Sequence, residues 1–256
     1  MDLALSGRRH LVVGASRGIG RAIARTVAAE GGEVVLCARD ETVLRATEAE
    51  LADADPSAGI DAYPADATDP SDMQHLVAQV CSDGRGIDGL VLCVGDGRGS
   101  RLPLPDADAW ESEWRTNFES VTTPLRAVLP HMAEGGSIVI IGSIAGSEDV
   151  GAPTAYATAK AALAALASLL ARRLAPDLRV NLVAPGNIHE DGNSWDLRLR
   201  ADPDAVQRML RERVPLGRLG RTEEVATSIA LLLSPRSSFT TGSVVVIDGG
   251  QTVSLS

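Results

Sequence analysis

Short apolar segments alternate with longer helical patterns along this chain. Each apolar segment is almost continuously hydrophobic, as expected for a strand covered on both faces. We predict seven such strands, at 10–13, 33–37, 60–63, 89–93, 137–141, 179–183 and 244–247. Helices are predicted near 18–31, 40–54, 69–82, 106–133, 153–175 and 222–234. The alternation predicts an α/β, doubly wound domain with a mostly parallel seven-stranded sheet and helices on both faces.

No linker, repeat or low-complexity segment divides the sequence, so we interpret residues 1–256 as one domain. One irregular insertion, 186–221, follows the sixth strand and contains a predicted short helix near 203–213. Because ligands bind beyond the carboxyl ends of such strands, the insertion is predicted to be a substrate lid, with a solvated loop as the alternative. Asp69 and Thr222 are predicted to be helix N-caps.

Composition excludes several classes of protein. The formal net charge of −10 opposes broad electrostatic binding to nucleic acid. The longest strongly apolar run, 161–171, ends at two arginines and is too short to span a bilayer, and we see no signal peptide. Three well-separated cysteines, at 37, 81 and 93, indicate neither a disulfide framework nor a zinc site, and no other metal ligand set is apparent. We therefore expect a cytoplasmic protein without a metal.

A glycine-rich turn, Gly14-Ala15-Ser16-Arg17-Gly18-Ile19-Gly20, joins the first strand to the first helix. Glycines permit close backbone approach, and a helix N-terminus attracts a pyrophosphate. The position of this turn predicts dinucleotide binding in a Rossmann-type domain, against the alternative of a merely tight turn.

The end of the second strand bears on the choice of nicotinamide cofactor. An acid there would bind the ribose 2′-hydroxyl, but the sequence has Ala38 followed by Arg39. Two guanidiniums, those of Arg39 and Arg17, are suited to a 2′-phosphate. We therefore favour NADP(H) over NAD(H). The alternative is that both arginines are solvated, and Asp40 would partly neutralise Arg39.

A tyrosine and a lysine share one face of the long Ala-rich helix. Lys160 is the only lysine among 24 basic residues, and it follows Tyr156 by four positions. A neighbouring ammonium lowers the pKa of a phenol, which can then exchange a proton with an alkoxide. Ser143, thirteen residues before Tyr156, is placed to hold a substrate oxygen. The alternative is an ordinary surface pair, with codon bias explaining the scarcity of lysine.

Together these motifs resemble the short-chain dehydrogenase/reductase family, especially its members that are similar to 3-oxoacyl-carrier-protein reductase. Further matching segments, 179–186 and 215–250, extend the resemblance over nearly the whole chain. It implies a catalytic tetrad of Asn117, Ser143, Tyr156 and Lys160. In the family, the Asn binds a proton-relaying water and the Lys also holds the nicotinamide ribose. Cofactor contacts are implied at Gly14, Ser16, Arg17, Gly18, Ile19, Gly20, Arg39, Asp66, Ala67, Tyr156, Lys160, Pro185, Gly186 and Ile188, with Asp66 at the adenine amino group.

The sequence departs from the family pattern near the cofactor. Leu92-Cys93-Val94-Gly95 stands where Asn-Asn-Ala-Gly is usual, and Val13 replaces a Thr. Glu190 replaces the Thr that contacts the carboxamide in the family. These changes leave the tetrad in place but alter the surroundings of the cofactor.

The resulting hypothesis is an NADP(H)-dependent oxidoreductase that acts on a ketone or secondary alcohol of a polar small molecule. A polar substrate is expected because the predicted mouth carries Asp96, Arg98, Glu148, Asp149, Asn187, His189, Glu190 and Trp195. Two alternatives remain open: an NAD-linked alcohol dehydrogenase, and a dinucleotide-binding regulatory or scaffold protein without turnover. Family members commonly assemble through Ala-rich helices, so 157–171 implies a homotetramer, or a dimer.

Overall fold

The seven predicted strands form one entirely parallel sheet. The structure, a computed structural model, describes residues 2–56 and 58–253. Its strands are β1 Arg9–Val13, β2 Glu33–Ala38, β3 Ile60–Pro64, β4 Ile87–Leu92, β5 Met132–Ile141, β6 Arg179–Pro185, β7 Ile188–His189, β8 Gly220–Arg221 and β9 Val244–Ile247. The sheet order is β3-β2-β1-β4-β5-β6-β9, with every neighbouring pair parallel. This confirms the predicted doubly wound fold, although β5 begins five residues before the predicted Ser137.

Helices cover both faces of this sheet. They are α1 Gly18–Ala29, α2 Glu41–Ala54, α3 Pro70–Val80, α4 Ala107–Trp114, α5 Ser120–Val128, α6 Thr154–Leu174, α7 Ser194–Ala201, α8 Pro203–Arg213 and α9 Thr222–Leu233. One apolar core packs α1, α2 and α9 against the sheet, and a second packs α3, α5 and α6 against the other face. Because strand order reverses between β1 and β4, the loops after these two strands diverge to opposite sides and leave a crevice at the carboxyl edge.

The two predicted N-caps have different outcomes. Asp69 caps α3, and its Oδ1 accepts hydrogen bonds from the backbone N–H groups of Ser71 and Asp72 at 2.7 and 3.2 Å. The prediction for Thr222 is wrong by one residue, because α9 begins at Thr222 and Arg221 is its N-cap. Glu224 fixes this boundary, since its Oε2 accepts the Arg221 N–H at 2.8 Å.

The predicted single helix over 106–133 is wrong. A π-helical turn at Arg115–Glu119 separates α4 from α5, and a 3₁₀ turn at Leu129–His131 follows α5. Side chains take the place of α-helical backbone bonds there: Asn117 Nδ2 donates to the Glu113 carbonyl at 3.0 Å, and Ser120 Oγ to the Thr116 carbonyl at 2.6 Å. The wide turn places Asn117, which is fully buried, against the end of β4.

Helix α6 carries the tyrosine–lysine pair across the sheet. Among the described helices it is the one long and apolar enough to cross a bilayer, with a mean hydropathy of 1.3 over its most apolar 18 residues. In this fold it packs on β6, and its inward residues Leu163, Ala167 and Ala171 belong to the core. Packing on the sheet therefore accounts for the apolar residues of its inward face, while 33% of the apolar window as a whole is buried.

The insertion at 186–221 folds back over the carboxyl edge of the sheet. Its strands β7 and β8 pair in parallel over two residues each, and α7 and α8 lie between them in sequence. The predicted helix near 203–213 is confirmed as α8, and Val206, Leu210 and Val214 form a small apolar core beneath it. Helix α7 was not predicted because it has no strong apolar stripe, and Asn193 starts it by accepting two backbone N–H groups.

Candidate active site

A cavity of about 830 Å³ opens at the carboxyl edge of the sheet. Every residue predicted to contact a cofactor lines it, from Gly14 in the first turn to Ile188 in the insertion. Ser143 also lines it, whereas Asn117 lies behind the wall and is fully buried. The sequence motifs therefore converge on one space.

The glycine turn closes tightly against its neighbours. The Gly14 N–H donates to the Cys37 carbonyl at 2.8 Å, and Gly14 has a φ of +88°. A Cβ at Gly14 would collide with the Cys93 carbonyl, and one at Gly20 would collide with the Gly14 carbonyl. Larger residues at either position would push the turn away from the sheet, so the cradle at the start of α1 depends on glycine.

The N-terminus of α1 is a candidate anion site. Its first turn holds no acidic residue, and Arg17 makes no side-chain cap. The Gly18 N–H instead donates to the carboxylate of Glu190, which comes from the insertion between β7 and α7. This contact joins the glycine turn to the predicted lid, and sequence reasoning did not find it.

The predicted 2′-phosphate region is exposed and positively charged. Arg17 and Arg39 both line the cavity, and Arg39 is 75% exposed, with Nη1 3.9 Å from Asp66 Oδ2. Asp40 does not pair with Arg39 as the sequence alternative supposed, because its side chain caps α2 by accepting the Val43 N–H at 3.1 Å. With Ala38 at the end of β2, no carboxylate lies at the usual 2′-hydroxyl position.

Asp66 is fixed by its own turn. Its Oδ1 accepts hydrogen bonds from the N–H and the hydroxyl of Thr68, both at 2.8 Å. These bonds and the nearby Arg39 outweigh partial burial and lower the pKa of Asp66. The side chain is therefore an ionised acceptor at the cavity wall.

Lys160 is buried at the inner end of the cavity. It is 3% exposed, and its Nζ donates to the Ile141 carbonyl at 3.1 Å. Burial lowers the pKa of Lys160 to about 8. The Nζ lies 5.6 Å from the centre of the Tyr156 ring, so the ammonium faces the ring rather than pairing directly with the hydroxyl.

The pKa of Tyr156 shifts in the direction opposite to the sequence expectation. Burial of the phenol raises its pKa, and the carboxylate of Asp96 acts in the same direction. The nearby hydroxyl of Ser143 partly opposes this shift in pKa. Because burial and Asp96 both raise this pKa, the phenol keeps its proton at neutral pH.

Asn117 and Lys160 flank the glycine that follows β4. A Cβ at Gly95 would lie 2.8 Å from Asn117 Oδ1 and 3.0 Å from Lys160 Nζ. The absence of a side chain at Gly95 therefore lets the amide and the ammonium approach the same backbone segment. The three residues before Gly95, which depart from the family pattern, pack into the apolar cores: Leu92, Cys93 and Val94. Burial raises the pKa of the Cys93 thiol to about 12.

The expected substrate mouth is only partly assembled. Asp96, Arg98, Glu190 and Trp195 line the cavity, whereas Glu148, Asp149, Asn187 and His189 do not. Asp96 and Arg98 form an ion pair of 2.8 Å. The sequence interpretation missed Gly97, where a Cβ would lie 3.7 Å from Tyr156 Cζ. The one sequence feature that could have indicated Gly97 is the high glycine content of the loop 95–101.

One cluster of metal-ligating types lies in the insertion, although the sequence indicated none. Ligand atoms of His189, Asp191 and Asp196 all lie within 4.8 Å of one another. The carboxylate of Asp196 is already engaged by the Gly192 N–H at 2.8 Å and by Arg200 at 2.9 Å. These bonds account for the burial of Asp196 without an ion.

Comparison with known proteins defines the family. Residues 14–252 match the family model described as Enoyl-(Acyl carrier protein) reductase. The 3-oxoacyl-[acyl-carrier-protein] reductase FabG of Escherichia coli K12 is 34% identical over 247 residues, covering 95% of this chain and 97% of that protein. The chain belongs to the short-chain dehydrogenase/reductase family. It is an oxidoreductase of that family, as the motifs implied.

Solved short-chain dehydrogenase/reductase structures share the whole fold. An NADPH-bound short-chain oxidoreductase from Pseudomonas aeruginosa PAO1, described as containing an atypical catalytic center, superposes with a TM-score of 0.91 at 32% identity, covering 98% of each chain. L-Sorbose reductase from Gluconobacter frateurii, complexed with NADPH and L-sorbose, gives a TM-score of 0.91 at 28% identity over 100% of both chains.

Proposed function

We propose that this short-chain dehydrogenase/reductase is NADP(H)-dependent and moves a hydride between the nicotinamide and a ketone or secondary alcohol of a polar small molecule. The observation that carries the proposal is the shape of one cavity. The glycine turn, Arg17 and Arg39 lie at one end, and Ser143, Tyr156 and Lys160 lie at the other. A pure binding protein has no need for the second group of residues.

The residues present fit a dinucleotide. The tight turn of Gly14 and Gly20, where a Cβ would collide with backbone carbonyls, adjoins the N-terminal N–H groups of α1 and suits a pyrophosphate. Asp66 would hold the adenine, and Lys160 the nicotinamide ribose. When bound, the cofactor supplies or accepts the hydride.

The chain's own residues would handle the oxygen and its proton. Ser143 would hold the substrate oxygen, and Tyr156 Oη would donate a proton to it during reduction or accept one during oxidation. The buried ammonium of Lys160 would stabilise the phenolate left after donation. Asn117 Oδ1 and Lys160 Nζ both approach the position of a Cβ at Gly95, a placement that supports resupply of the proton to Lys160 through a water held beside Asn117.

The preference for NADP(H) rests on charge at the adenosine end. Arg39 is exposed and Arg17 lies in the turn, while the two adjacent carboxylates have other partners: Asp40 caps α2, and Asp66 is bonded to Thr68. A 2′-phosphate would receive guanidinium donors there, whereas a 2′-hydroxyl would find no dedicated acceptor. The NADPH in the two structural neighbours supports the same choice.

A polar substrate is proposed because charged side chains line the same cavity as Tyr156. Asp96 and Arg98 line the cavity on the loop after β4, and Trp195 lines it from α7. Arg198 stacks on Trp195, with its guanidinium 4.7 Å from the ring centre. We propose that 186–221 is the substrate lid of a single catalytic domain, 1–256. L-Sorbose in a structural neighbour shows that this fold accepts a polar ketose elsewhere.

The direct test is a panel of ketones and secondary alcohols followed by NADPH or NADP⁺ absorbance. We expect turnover with polar carbonyl compounds, and a kcat/KM with NADPH at least about ten-fold above that with NADH. A clear NADH preference would support an NAD-linked alcohol dehydrogenase instead. Tight dinucleotide binding without turnover on any member of the panel would support a regulatory or scaffold protein.

We further propose that the chain assembles as a homotetramer, or else a dimer, in the cytoplasm. Strand β9 ends the sheet with exposed Val244 and Val246, nearby Phe239 is fully exposed, and Leu169 is exposed on α6. An unpaired apolar edge of this kind is usually covered by a partner. The free cysteines support a reducing compartment. Sedimentation equilibrium tests the assembly, and a monomer would overturn it.

A further inference from the structure

Glu190 occupies the place where an anionic ligand of α1 would bind. Its carboxylate accepts the Gly18 N–H, the first free donor of the helix. A Cβ at Gly18 would collide with the same carboxylate. Glu190 follows Gly18 by 172 positions in the sequence, so this contact brings the lid across the cavity to the glycine turn.

The surroundings of Glu190 act on its charge in opposite directions, and on balance they raise the pKa of the carboxyl. Burial raises the pKa of the carboxyl, while the Gly18 N–H and the nearby Arg21 and Arg17 act against this shift. A carboxylate at a helix N-terminus also interacts favourably with the helix dipole. These are the interactions that a phosphate group would use at the same place.

The lid backbone around Glu190 is held by hydrogen bonds, whereas the Glu190 side chain has one bonded partner among the described contacts. The Asn193 N–H donates to the Glu190 carbonyl at 3.1 Å, and Asn193 Nδ2 donates to the Ile188 carbonyl at 2.8 Å. Among the described contacts, the carboxylate itself bonds only to Gly18. The side chain can therefore leave the helix N-terminus by rotation while the turn keeps its bonds.

We propose that Glu190 is a built-in competitor of the dinucleotide pyrophosphate and thereby sets the affinity for the cofactor. This inference rests on the proposed function. Two anions cannot share the N-terminus of α1, so binding of the pyrophosphate requires the carboxylate to move away. The apparent dissociation constant is then the intrinsic constant divided by the fraction of molecules in which Glu190 has left the site.

A purely structural role for Glu190 makes a different prediction. If the carboxylate only braces the lid, its removal lowers the stability of the cofactor-free protein and weakens or leaves unchanged the binding of the cofactor. A competitor has opposite effects on the two quantities. Its removal lowers the melting temperature of the free protein but tightens binding.

The experiment compares Kd values by calorimetric titration for wild type, Glu190→Gln, Glu190→Thr and the control Glu212→Gln. Glu212 is an exposed lid carboxylate outside the cavity, so the control makes the same change in net charge. We expect both Glu190 variants to bind NADPH about ten-fold more tightly, since that is the scale of one displaced charged contact. The control should match wild type, and Tm without cofactor should fall for Glu190→Gln.

Two fragments locate the effect within the cofactor. We expect the same gain for 2′-phospho-ADP-ribose, which has the pyrophosphate but no nicotinamide, and no gain for adenosine 2′-monophosphate, which lacks the pyrophosphate. Unchanged or weaker NADPH binding by both Glu190 variants would overturn the inference and leave the proposed function intact. If neither wild type nor any variant binds a dinucleotide, the proposed function fails and this inference fails with it.

Discussion

The side-chain amide of Asn117 holds the backbone of Asp96 on both sides. Asn117 Oδ1 accepts the Asp96 N–H at 2.9 Å, and Nδ2 donates to the Asp96 carbonyl at 3.1 Å. This pairing ties the loop after β4 to the π-helical turn before α5. The loop that faces Tyr156 is therefore positioned by a buried amide and not by an apolar contact.

We expect Asn117→Ala to lower the free energy of unfolding by about 1–3 kcal/mol, because it leaves buried backbone groups of Asp96 without partners. Turnover should also fall, since Asp96 and Gly97 would no longer be held beside Tyr156. Urea denaturation and steady-state kinetics measure the two effects. Ser112→Ala, on the exposed face of α4, is the control. If Asn117→Ala is as stable as wild type, the two hydrogen bonds between Asn117 and the Asp96 backbone contribute nothing to stability.

Charge at the adenosine end predicts the effect of Arg39. Arg39→Ala should lower kcat/KM for NADPH by about ten-fold and leave the value for NADH nearly unchanged, because only NADPH carries the 2′-phosphate. Arg45→Ala removes a neighbouring exposed arginine on α2 that pairs with Glu48, and should affect neither value. Equal losses with both cofactors would contradict the assignment.

Burial of Lys160 predicts a pH limit on activity. Its pKa is lowered to about 8, so the ammonium is present below that pH and is lost as the pH rises through it. If the charge is required, kcat/KM for carbonyl reduction should fall above about pH 8. Lys160→Arg should abolish the fall in kcat/KM above about pH 8, because a guanidinium stays charged there. It should also lower kcat/KM at every pH, since a forked guanidinium does not fit the place of a compact ammonium. Normal turnover by Lys160→Arg would show that charge alone suffices.

His10 predicts a separate dependence of stability on pH. It is fully buried in β1, neither ring nitrogen has a partner within the described part of the chain, and burial lowers its pKa to about 4. The unfolded chain takes up this proton near pH 6.5, so stability is complete above that pH and declines as the pH falls towards 4. The loss should reach about 3 kcal/mol.

Denaturant titrations of wild type and His10→Leu between pH 7 and 4 measure that loss. The variant should have a shallower dependence on pH, whatever its stability at pH 7. His75→Gln changes an exposed histidine and should keep the wild-type slope. Parallel slopes for wild type and His10→Leu would exclude His10 as the source.

The fold could be predicted because its determinants are local. The central strands are buried on both faces and so appear as apolar runs, although the edge strands β3 and β9 are partly exposed. The helices between the strands leave few choices of topology. The residues of the cavity wall were found for the same reason, since motifs such as Gly14 to Gly20 stand at strand ends. Boundaries differed where a side chain decides them, as Glu224 does at the start of α9.

The features that were missed depend on distant partners. The π-helical turn is stabilised by Asn117 and Ser120, but Asn117 takes this conformation with the Asp96 backbone, 21 positions away. The direction of the Tyr156 pKa depends on burial, which spacing to Lys160 does not reveal. The contact of Glu190 with Gly18 joins two segments whose sequences give no sign of each other.

The chain has two tyrosines, and this supplies a matched comparison for the central claim. Tyr156→Phe removes only the phenolic oxygen proposed to exchange the proton, whereas Tyr63→Phe removes the same atom from β3, outside the cavity. Both variants should bind NADPH within about two-fold of wild type.

The most direct measurement is kcat of Tyr156→Phe on the best carbonyl substrate, made beside its Kd for NADPH. We predict a loss of about 10²–10⁴-fold in kcat with binding retained, and no loss in Tyr63→Phe. Near-normal turnover by Tyr156→Phe would contradict the account.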